Sequence, residues 1–266
     1  MPEGHRVIGN RVIRHIPTGE ICSVPAPVFE TDWPYGTVSP NQPLLRYMDL
    51  WKFEDLLHRG ALYFCRADKF DDPLEGTMSP EGVHGTSASD VAFFGTNQAN
   101  SDTYAQQSKY RELARGTTFV SCWHINDRES QEMWDAYTSS SDSVLVVTTA
   151  ERLAASLSMP VFGAAVKYVT ADTPRTEFDE RSLFYYKDVS FDFEREFRLT
   201  VDLLTLGGEV LQDHADDFYR YVPVDLNVLI HGVQPHPKMS DSAAAKVRAL
   251  VRRYLPSVIE RRVGEV

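Results

Sequence analysis

The chain has 266 residues, of which 42% are hydrophobic and 24% are charged, and its formal net charge is −11. This composition is typical of a globular protein that is long enough to bury a sizeable core. The acidic balance argues against non-specific binding to nucleic acid, which needs a basic surface. A small-molecule or nucleotide ligand remains compatible with it.

The cysteines and the apolar stretches indicate the compartment. Cys22, Cys65 and Cys122 are odd in number and widely spaced, so they predict neither a disulfide framework nor a zinc site. The first ten residues contain no apolar run of a secretory signal, and no stretch approaches the ~20 apolar residues of a membrane helix. We therefore expect a cytoplasmic protein without a membrane partner. The pattern does not indicate an oligomeric state.

Prolines divide the chain into two parts. Seven of the fifteen prolines fall within residues 1–43, where they interrupt any long helix or strand. We predict a proline-rich N-terminal arm over residues 1–43. One main domain is predicted to follow over residues 44–266.

The main domain opens with a predicted strand–helix–strand unit. A strand at Leu45–Met48 is followed by a helix with Asp49 as its N-cap and Gly60 just after its end, and then by a strand at Leu62–Cys65. The same criteria predict later strands at residues 117–124, 143–148, 164–170, 192–202, 219–224, 228–233 and 258–263. They predict later helices at residues 88–114, 128–138, 148–157, 177–187 and 243–254. This mixed order predicts an α+β fold with a mixed, mostly antiparallel sheet and flanking helices.

The segment Phe193–Leu199 places acidic residues and an arginine among core-forming side chains. As a strand, it sends Glu194, Glu196 and Arg198 to one face, because alternate side chains point to opposite faces. Charges in apolar surroundings are paired or functional, whereas a solvated strand face is the alternative. Arg46 and Arg66 are the candidate partners, since a guanidinium can bind an anionic group through two donors.

An acidic loop follows the second predicted strand and contains Asp68, Asp71, Asp72 and Glu75. Carboxylates so close together can bind a divalent cation, but the ligand spacing of a calcium loop is absent. Asp72-Pro73 is typical of a turn, in which aspartate side chains bond to their own backbone. We favour the turn and assign no metal ligand.

The segment Ser121-Cys122-Trp123-His124 lies on a predicted strand, with Cys122 and His124 on one side. A cysteine–histidine nucleophile pair is one interpretation. A buried cysteine beside a histidine at a pocket rim is the favoured one. Glu129 follows closely and can point into the same pocket, before a helix that Ser130 or Asn126 caps.

Several short motifs resemble, in the same order, the bacterial family called domain of unknown function 2971. The resemblance runs from about residue 44 to the C-terminus and excludes the proline-rich arm. The motifs that carry it are Leu45-Arg46-Tyr47, Leu62–Ala67, Phe70–Glu75, Ser121–His124, Glu129-Ser130, Met133-Trp134 and Phe193–Arg198.

A second resemblance is to ADP-ribosyltransferases, which bind NAD in a split antiparallel sheet. It implies that Arg46 binds the NAD phosphates, that Ser121 takes the middle-strand position, and that Glu194-Arg195-Glu196 is the late acidic motif. Glu196 would then be the catalytic carboxylate and Glu194 its companion. The further residues that would line the same NAD pocket are Tyr47, Arg66, His124 and Glu129. Phage defence is the setting that this resemblance suggests.

The favoured function is therefore an enzyme with an NAD-dependent, ADP-ribosyltransferase-like site. One alternative is a metal-dependent hydrolase or nuclease that uses Asp71, Asp72, Glu75 and Glu196. Another is a non-catalytic module whose charged pocket holds a small anion or a peptide. All catalytic interpretations require Arg46 and the two late glutamates to share one hollow.

Overall fold

The computed structural model describes residues 28–29, 38–70, 112–159, 161–170, 184–202 and 218–258. Its strands are β1 Val28–Phe29, β2 Pro43–Asp49, β3 Ala61–Arg66, β4 Thr118–Ile125, β5 Ser143–Thr149, β6 Phe162–Ala165, β7 Lys167–Val169, β8 Tyr186–Asp188, β9 Glu196–Asp202, β10 Tyr219–Pro223 and β11 Gly232–Pro235. Its helices are α1 Leu50–Arg59, α2 Gln131–Tyr137, α3 Ala150–Ser156, α4 Leu226–Leu229 and α5 Asp241–Tyr254, with 3₁₀ helices at Ala67–Lys69 and Val189–Glu194. Residues 112–117 are also helical. Within the described ranges, no helix has the length and apolar character needed to cross a membrane.

Nine of these strands form one open sheet in the order β1-β6-β9-β4-β2-β5-β11, with β3 joining β4 and carrying β10. All its pairings are antiparallel except the parallel pairing of β1 with β6. Strands β7 and β8 form a separate parallel pair. Helices flank this mostly antiparallel sheet, so the predicted α+β class is confirmed.

The sheet splits at β4. Strand β9 pairs along one edge of β4 from Thr118 to His124. The other edge is shared, because β3 pairs at Phe119 and Val120 whereas β2 pairs at His124 and Ile125. Residues 121–123 pair with neither strand on this edge, so β2 and β3 diverge there. We call this gap between β2 and β3 the fork.

The two faces of the sheet carry separate apolar clusters. Face A includes Trp123 and Phe197 and is covered by α1, α3 and α5. Face B includes Tyr47 and Leu145 and is covered by α2. Helix α1 buries Phe53 completely, and full burial of such a side chain contributes about 1.5–3 kcal/mol. Burial on both faces therefore holds the strands around the fork.

The predicted strand–helix–strand opening is confirmed, with one change at its first cap. Asp49 precedes α1 but makes no side-chain cap bond. Its carboxylate instead accepts from the backbone N–H and the hydroxyl of Ser139, at 2.7 and 2.9 Å. Gly60 ends α1 with φ 60°, a left-handed conformation that glycine adopts without a Cβ clash.

Hydroxyl side chains cap three of the other helices. Ser130, one of the two predicted candidates, caps α2, and Ser240 caps α5; each accepts from the N–H three residues on. Helix α3 is capped by Thr149. The Thr148 hydroxyl donates to the Leu229 carbonyl oxygen on face A.

Several predicted strands begin or end elsewhere. The predicted strand 192–202 begins only at Glu196, because Val189–Glu194 is a 3₁₀ helix and Arg195 takes φ 40°. The predicted strand 164–170 is divided into β6 and β7, and the predicted strand 228–233 begins with the end of α4. The C-terminal end of the predicted helix 177–187 belongs to β8. The predictions that fall mostly outside the described residues are the N-terminal arm 1–43, the acidic residues 71–75, the helix 88–114, the first part of the helix 177–187 and the strand at 258–263.

Candidate functional site: a cavity at the fork

A cavity of about 470 Å³ lies at the fork. Such a volume is typical of a small-molecule site. The described residues that line the cavity belong to α1, α2 and the strands around the fork. Six of the predicted site residues lie on these walls: Arg46, Tyr47, Ser121, His124, Glu194 and Glu196. The sequence-based requirement that Arg46 and the late glutamates share one hollow is therefore met.

These residues reach the cavity from opposite faces of the sheet. Directly opposed residues of antiparallel strands share a face. His124 is opposite Glu196, which places both on face B, whereas Trp123 is opposite Phe197 on face A. Leu45 is opposite His124, so its neighbour Arg46 lies on face A. The cavity thus passes through the fork, with an Arg46 end on face A and an acidic end on face B.

The acidic end is a buried set of four charges. Arg198 donates to Glu196 through two bonds, Nε to Oε1 at 2.5 Å and Nη2 to Oε2 at 2.9 Å, and donates through Nη1 to the Phe184 carbonyl oxygen at 2.7 Å. Lys187 forms an ion pair with Glu194, and its Nζ lies 3.6 Å from Glu196 Oε2. Arg198 is 0% exposed and Glu196 3% exposed. Among the described residues, two acids and two bases balance, which suits burial of charge.

The pKa of Glu196 follows from these neighbours. Burial alone would raise the pKa of this carboxyl, but the charges of Arg198 and Lys187 outweigh burial and hold it at about 2. Burial likewise would lower the pKa of Lys187, but the charges of Glu196 and Glu194 and the hydrogen bond to Glu194 together outweigh it and raise that pKa. Glu196 is therefore an anion at neutral pH and holds no proton to donate.

The partners proposed for the late glutamates need correction. Arg198 and Lys187 pair with Glu196, and neither Arg46 nor Arg66 does. Arg66 instead donates two hydrogen bonds to Asp68, from Nε to Oδ1 at 2.7 Å and from Nη2 to Oδ2 at 2.9 Å. Because this local bond turns the guanidinium away, Arg66 does not reach the cavity wall.

Glu129 is the second predicted site residue that lies off the cavity wall. Its Oε2 accepts from Trp134 Nε1 at 3.2 Å and from Gln234 Nε2 at 2.8 Å. These bonds direct the carboxylate towards β11 rather than towards His124. Glu129 therefore joins α2 to the sheet.

His124 has a defined protonation state. Its Nδ1 lies 2.6 Å from the Glu194 carbonyl oxygen, which can only accept, so Nδ1 carries the proton. Its Nε2 lies 3.0 Å from Asn126 Nδ2 and accepts from it. Burial lowers the pKa of the imidazole, which keeps the ring neutral. Both nitrogens are used, so His124 positions the Glu194 backbone.

The cysteine–histidine nucleophile pair is not supported. Burial, followed by the Glu196 charge, raises the pKa of the Cys122 thiol well above its usual range. The protonated thiol is a poor nucleophile. The favoured interpretation of a packed cysteine at the cavity wall fits this state.

Tyr47 contributes its ring to the cavity, while its hydroxyl is used elsewhere. The hydroxyl oxygen accepts from the Ser130 N–H at 2.8 Å. Burial raises the pKa of Tyr47 to about 12, so it stays neutral. The ring packs edge-on against Trp134, with centroids 4.8 Å apart. Tyr47 therefore connects the cavity wall to the start of α2.

At the opposite end of the cavity, Arg46 carries a charge that no carboxylate of the described residues compensates. Its Nη2 donates across the fork to the Tyr63 carbonyl oxygen at 3.2 Å, and its Cζ lies 5.5 Å from the centre of the Trp123 ring. Burial lowers the pKa of Arg46 to about 10, so the guanidinium is charged at neutral pH. It forms no ion pair with any carboxylate of the described residues. This end of the cavity is suited to an anion.

Two polar atoms on the same sheet face as Arg46 have no hydrogen-bond partner within the described part of the chain: Ser121 Oγ and Trp123 Nε1. Both side chains lie on the cavity wall. Sequence patterns indicate no site role for Trp123 or Lys187. The spacing of Trp123, two residues from Ser121 on one strand, is the signal that points to it, whereas Lys187 reaches the site only through the tertiary fold.

In the ranges that the structure describes, no three His, Cys, Asp or Glu side chains are grouped to hold a metal ion. Asp71, Asp72 and Glu75, which the hydrolase alternative needs, lie outside those ranges. Comparisons with family models, with curated proteins and with solved structures find no match for this chain.

Proposed function

We propose that the fork cavity binds NAD and that the protein cleaves the bond between nicotinamide and ribose, passing ADP-ribose to an acceptor. One observation carries this proposal: Arg46, Ser121 and Glu196, from a first, a middle and a late strand, lie on the wall of one cavity. This is the set of residues that the resemblance to ADP-ribosyltransferases implies.

The charge of Arg46 supports a phosphate-bearing ligand. A guanidinium binds phosphate oxygens through two parallel donors, and Arg46 has no competing carboxylate among the described residues. The rest of the cavity wall is largely aromatic or apolar and includes Tyr47, Tyr63 and Met133. Such a wall encloses planar rings. A ligand with phosphates at Arg46 and planar rings against this wall is a dinucleotide.

Glu196 supplies the charge that the reaction needs. As nicotinamide leaves, the ribose ring develops positive charge, which a fixed carboxylate stabilises. A carboxylate has about four acceptor sites; Arg198 uses two of them, and Lys187 and the Cys122 thiol lie at the others. A ribose hydroxyl would take the place of the thiol, which is a weak donor. Arg198 holds the carboxylate in place for this role.

Binding and turnover are tested separately. NAD at a hundred times its dissociation constant stabilises a one-site protein by about 2.7 kcal/mol, which thermal unfolding detects. Arg46→Gln should remove this stabilisation, and the matched control Arg59→Gln, on the exposed side of α1, should retain it. Glu196→Gln should abolish release of nicotinamide, followed by chromatography. Absence of any NAD-dependent shift in the wild-type protein would refute the proposal.

A non-catalytic nucleotide-binding module is the second candidate. The observation that favours it is the complete pairing of Glu194 and Glu196 with Lys187 and Arg198, which satisfies these carboxylates without a substrate. It predicts the same NAD-dependent stabilisation and the same loss with Arg46→Gln. It differs in predicting no nicotinamide release by the wild-type protein.

A further inference from the structure

We infer that Trp123 and Ser121 complete, with Arg46, a three-donor site for a phosphoryl group at the face A end of the cavity. This inference rests on the proposed nucleotide function and deepens it, because it adds a residue and names the group that is bound. The three side chains come from the two strands β2 and β4 that border the fork.

The three groups share one face and one end of the cavity. Ser121 and Trp123 are alternate residues of β4 and therefore point to the same side. Both are opposite face A residues of β9, namely Leu199 and Phe197. Arg46 reaches the same side from β2, with its guanidinium carbon 5.5 Å from the centre of the Trp123 ring.

Their hydrogen-bonding state points to an acceptor. Trp123 is 2% exposed and Ser121 1% exposed, and neither Trp123 Nε1 nor Ser121 Oγ has a partner among the described residues. An indole N–H only donates, and a buried donor without a partner is destabilising. A ligand oxygen that accepts from these groups removes that penalty.

The charges at this end favour an anion over a neutral acceptor. Arg46 is cationic, and the nearest acidic residue of α1 on the cavity wall, Asp55, is already used: its Oδ1 accepts from Arg59 and its Oδ2 from Tyr221. A phosphoryl group has three peripheral oxygens and can accept from three donors that approach from different directions. A planar carboxylate has two oxygens, and its acceptor sites lie in one plane. The donor set therefore fits a phosphoryl group better.

The test is calorimetric titration of the full chain with inorganic pyrophosphate and, separately, with acetate. Wild-type protein should bind pyrophosphate more tightly than acetate. Trp123→Phe, which removes the N–H and keeps a ring, should weaken pyrophosphate binding about tenfold, the usual effect of losing one bond to a charged acceptor. Ser121→Ala should weaken it as well. The control Trp134→Phe should not, because Trp134 Nε1 donates to Glu129.

Thermal unfolding of the same variants separates binding from stability. Trp123→Phe should lower the melting temperature of the free protein only through the smaller buried ring, because the deleted N–H has no partner among the described residues. Trp134→Phe should lower it further, because a bond to a carboxylate is lost as well. Loss of pyrophosphate binding in both variants, in proportion to lost stability, would assign Trp123 a structural role and overturn the inference.

Failure of the inference is distinguishable from failure of the proposed function. NAD binding that Arg46→Gln abolishes and Trp123→Phe leaves unchanged would overturn the inference and leave the NAD proposal standing. Pyrophosphate binding with the predicted variant pattern, but no binding of NAD, would support the inference and overturn the NAD proposal. Acetate binding tighter than pyrophosphate binding would overturn the assignment to a phosphoryl group.

Discussion

Removal of Arg198 is the sharpest test of the buried charge set. The variant Arg198→Met keeps an unbranched side chain of similar length but deletes two bonds to Glu196 and one to the Phe184 carbonyl oxygen. Of the four charges among the described residues, three remain and sum to −1: two carboxylates and Lys187. Both glutamates stay buried, so water does not replace the lost cation.

The expected loss is large. Removing one partner of a buried ion pair costs about 3–5 kcal/mol, because the remaining charge is left uncompensated. A typical domain is stable by about 5–15 kcal/mol, so Arg198→Met should be marginally folded. The free energy of unfolding is measured by urea denaturation at pH 7, followed by circular dichroism.

Two further variants complete this test. Arg59→Met removes a cation of the exposed α1 pair with Asp55 and should leave the urea midpoint unchanged. The double variant Glu196→Gln with Arg198→Met should recover part of the loss, because it removes the uncompensated carboxylate together with its partner. A loss below about 1 kcal/mol for Arg198→Met alone would refute the view that this set is buried and coupled.

Three more predictions follow from individual groups. The folded-state pKa of Glu196 is about 2 and lies below its unfolded value of 4.5. The contribution of Glu196 to stability is therefore complete above pH 4.5 and is lost as the pH falls towards 2. Urea midpoints that do not change between pH 6 and pH 2.5 would contradict this prediction. Ser130→Ala should cost about 1 kcal/mol by removing the α2 cap, measured by thermal unfolding, whereas Ser242→Ala, inside the first turn of α5, serves as a control. Cys122 should react with iodoacetamide at pH 7 far more slowly in the folded protein than in urea, because its pKa is raised; equal rates by mass spectrometry would be inconsistent with a protonated, packed thiol.

Local patterns predicted much of the fold around the cavity. The spacing of Leu50, Phe53, Leu56 and Leu57, followed by Gly60, is sufficient to define α1 and its end. Glu196 and Arg198 pair because they are alternate residues of β9, and this follows from strand geometry alone. Such features depend on neighbours in sequence, which is why they are readable without a structure.

Other parts of the site depend on contacts that sequence spacing does not express. Glu194 was expected on the strand face of Glu196, but Arg195 takes a left-handed conformation and ends a 3₁₀ helix there. The two glutamates still meet, because Lys187 from β8 reaches both of them. Arg46 and Glu196 share a cavity although they lie on opposite faces, which only the strand order around β4 explains.

The division of the sheet at β4 also has a mechanical consequence. Strands β3 and β10 are attached to β4 through two pairs of opposed residues, Cys65 with Val120 and Arg66 with Phe119. The hydrogen bond from Arg46 to the Tyr63 carbonyl oxygen is a second link, between β3 and β2. A ligand in the fork would contact both strands and restrict their relative movement. Amide hydrogen exchange in β3 and β10 should then slow on binding, while exchange in β5 and β11 stays constant.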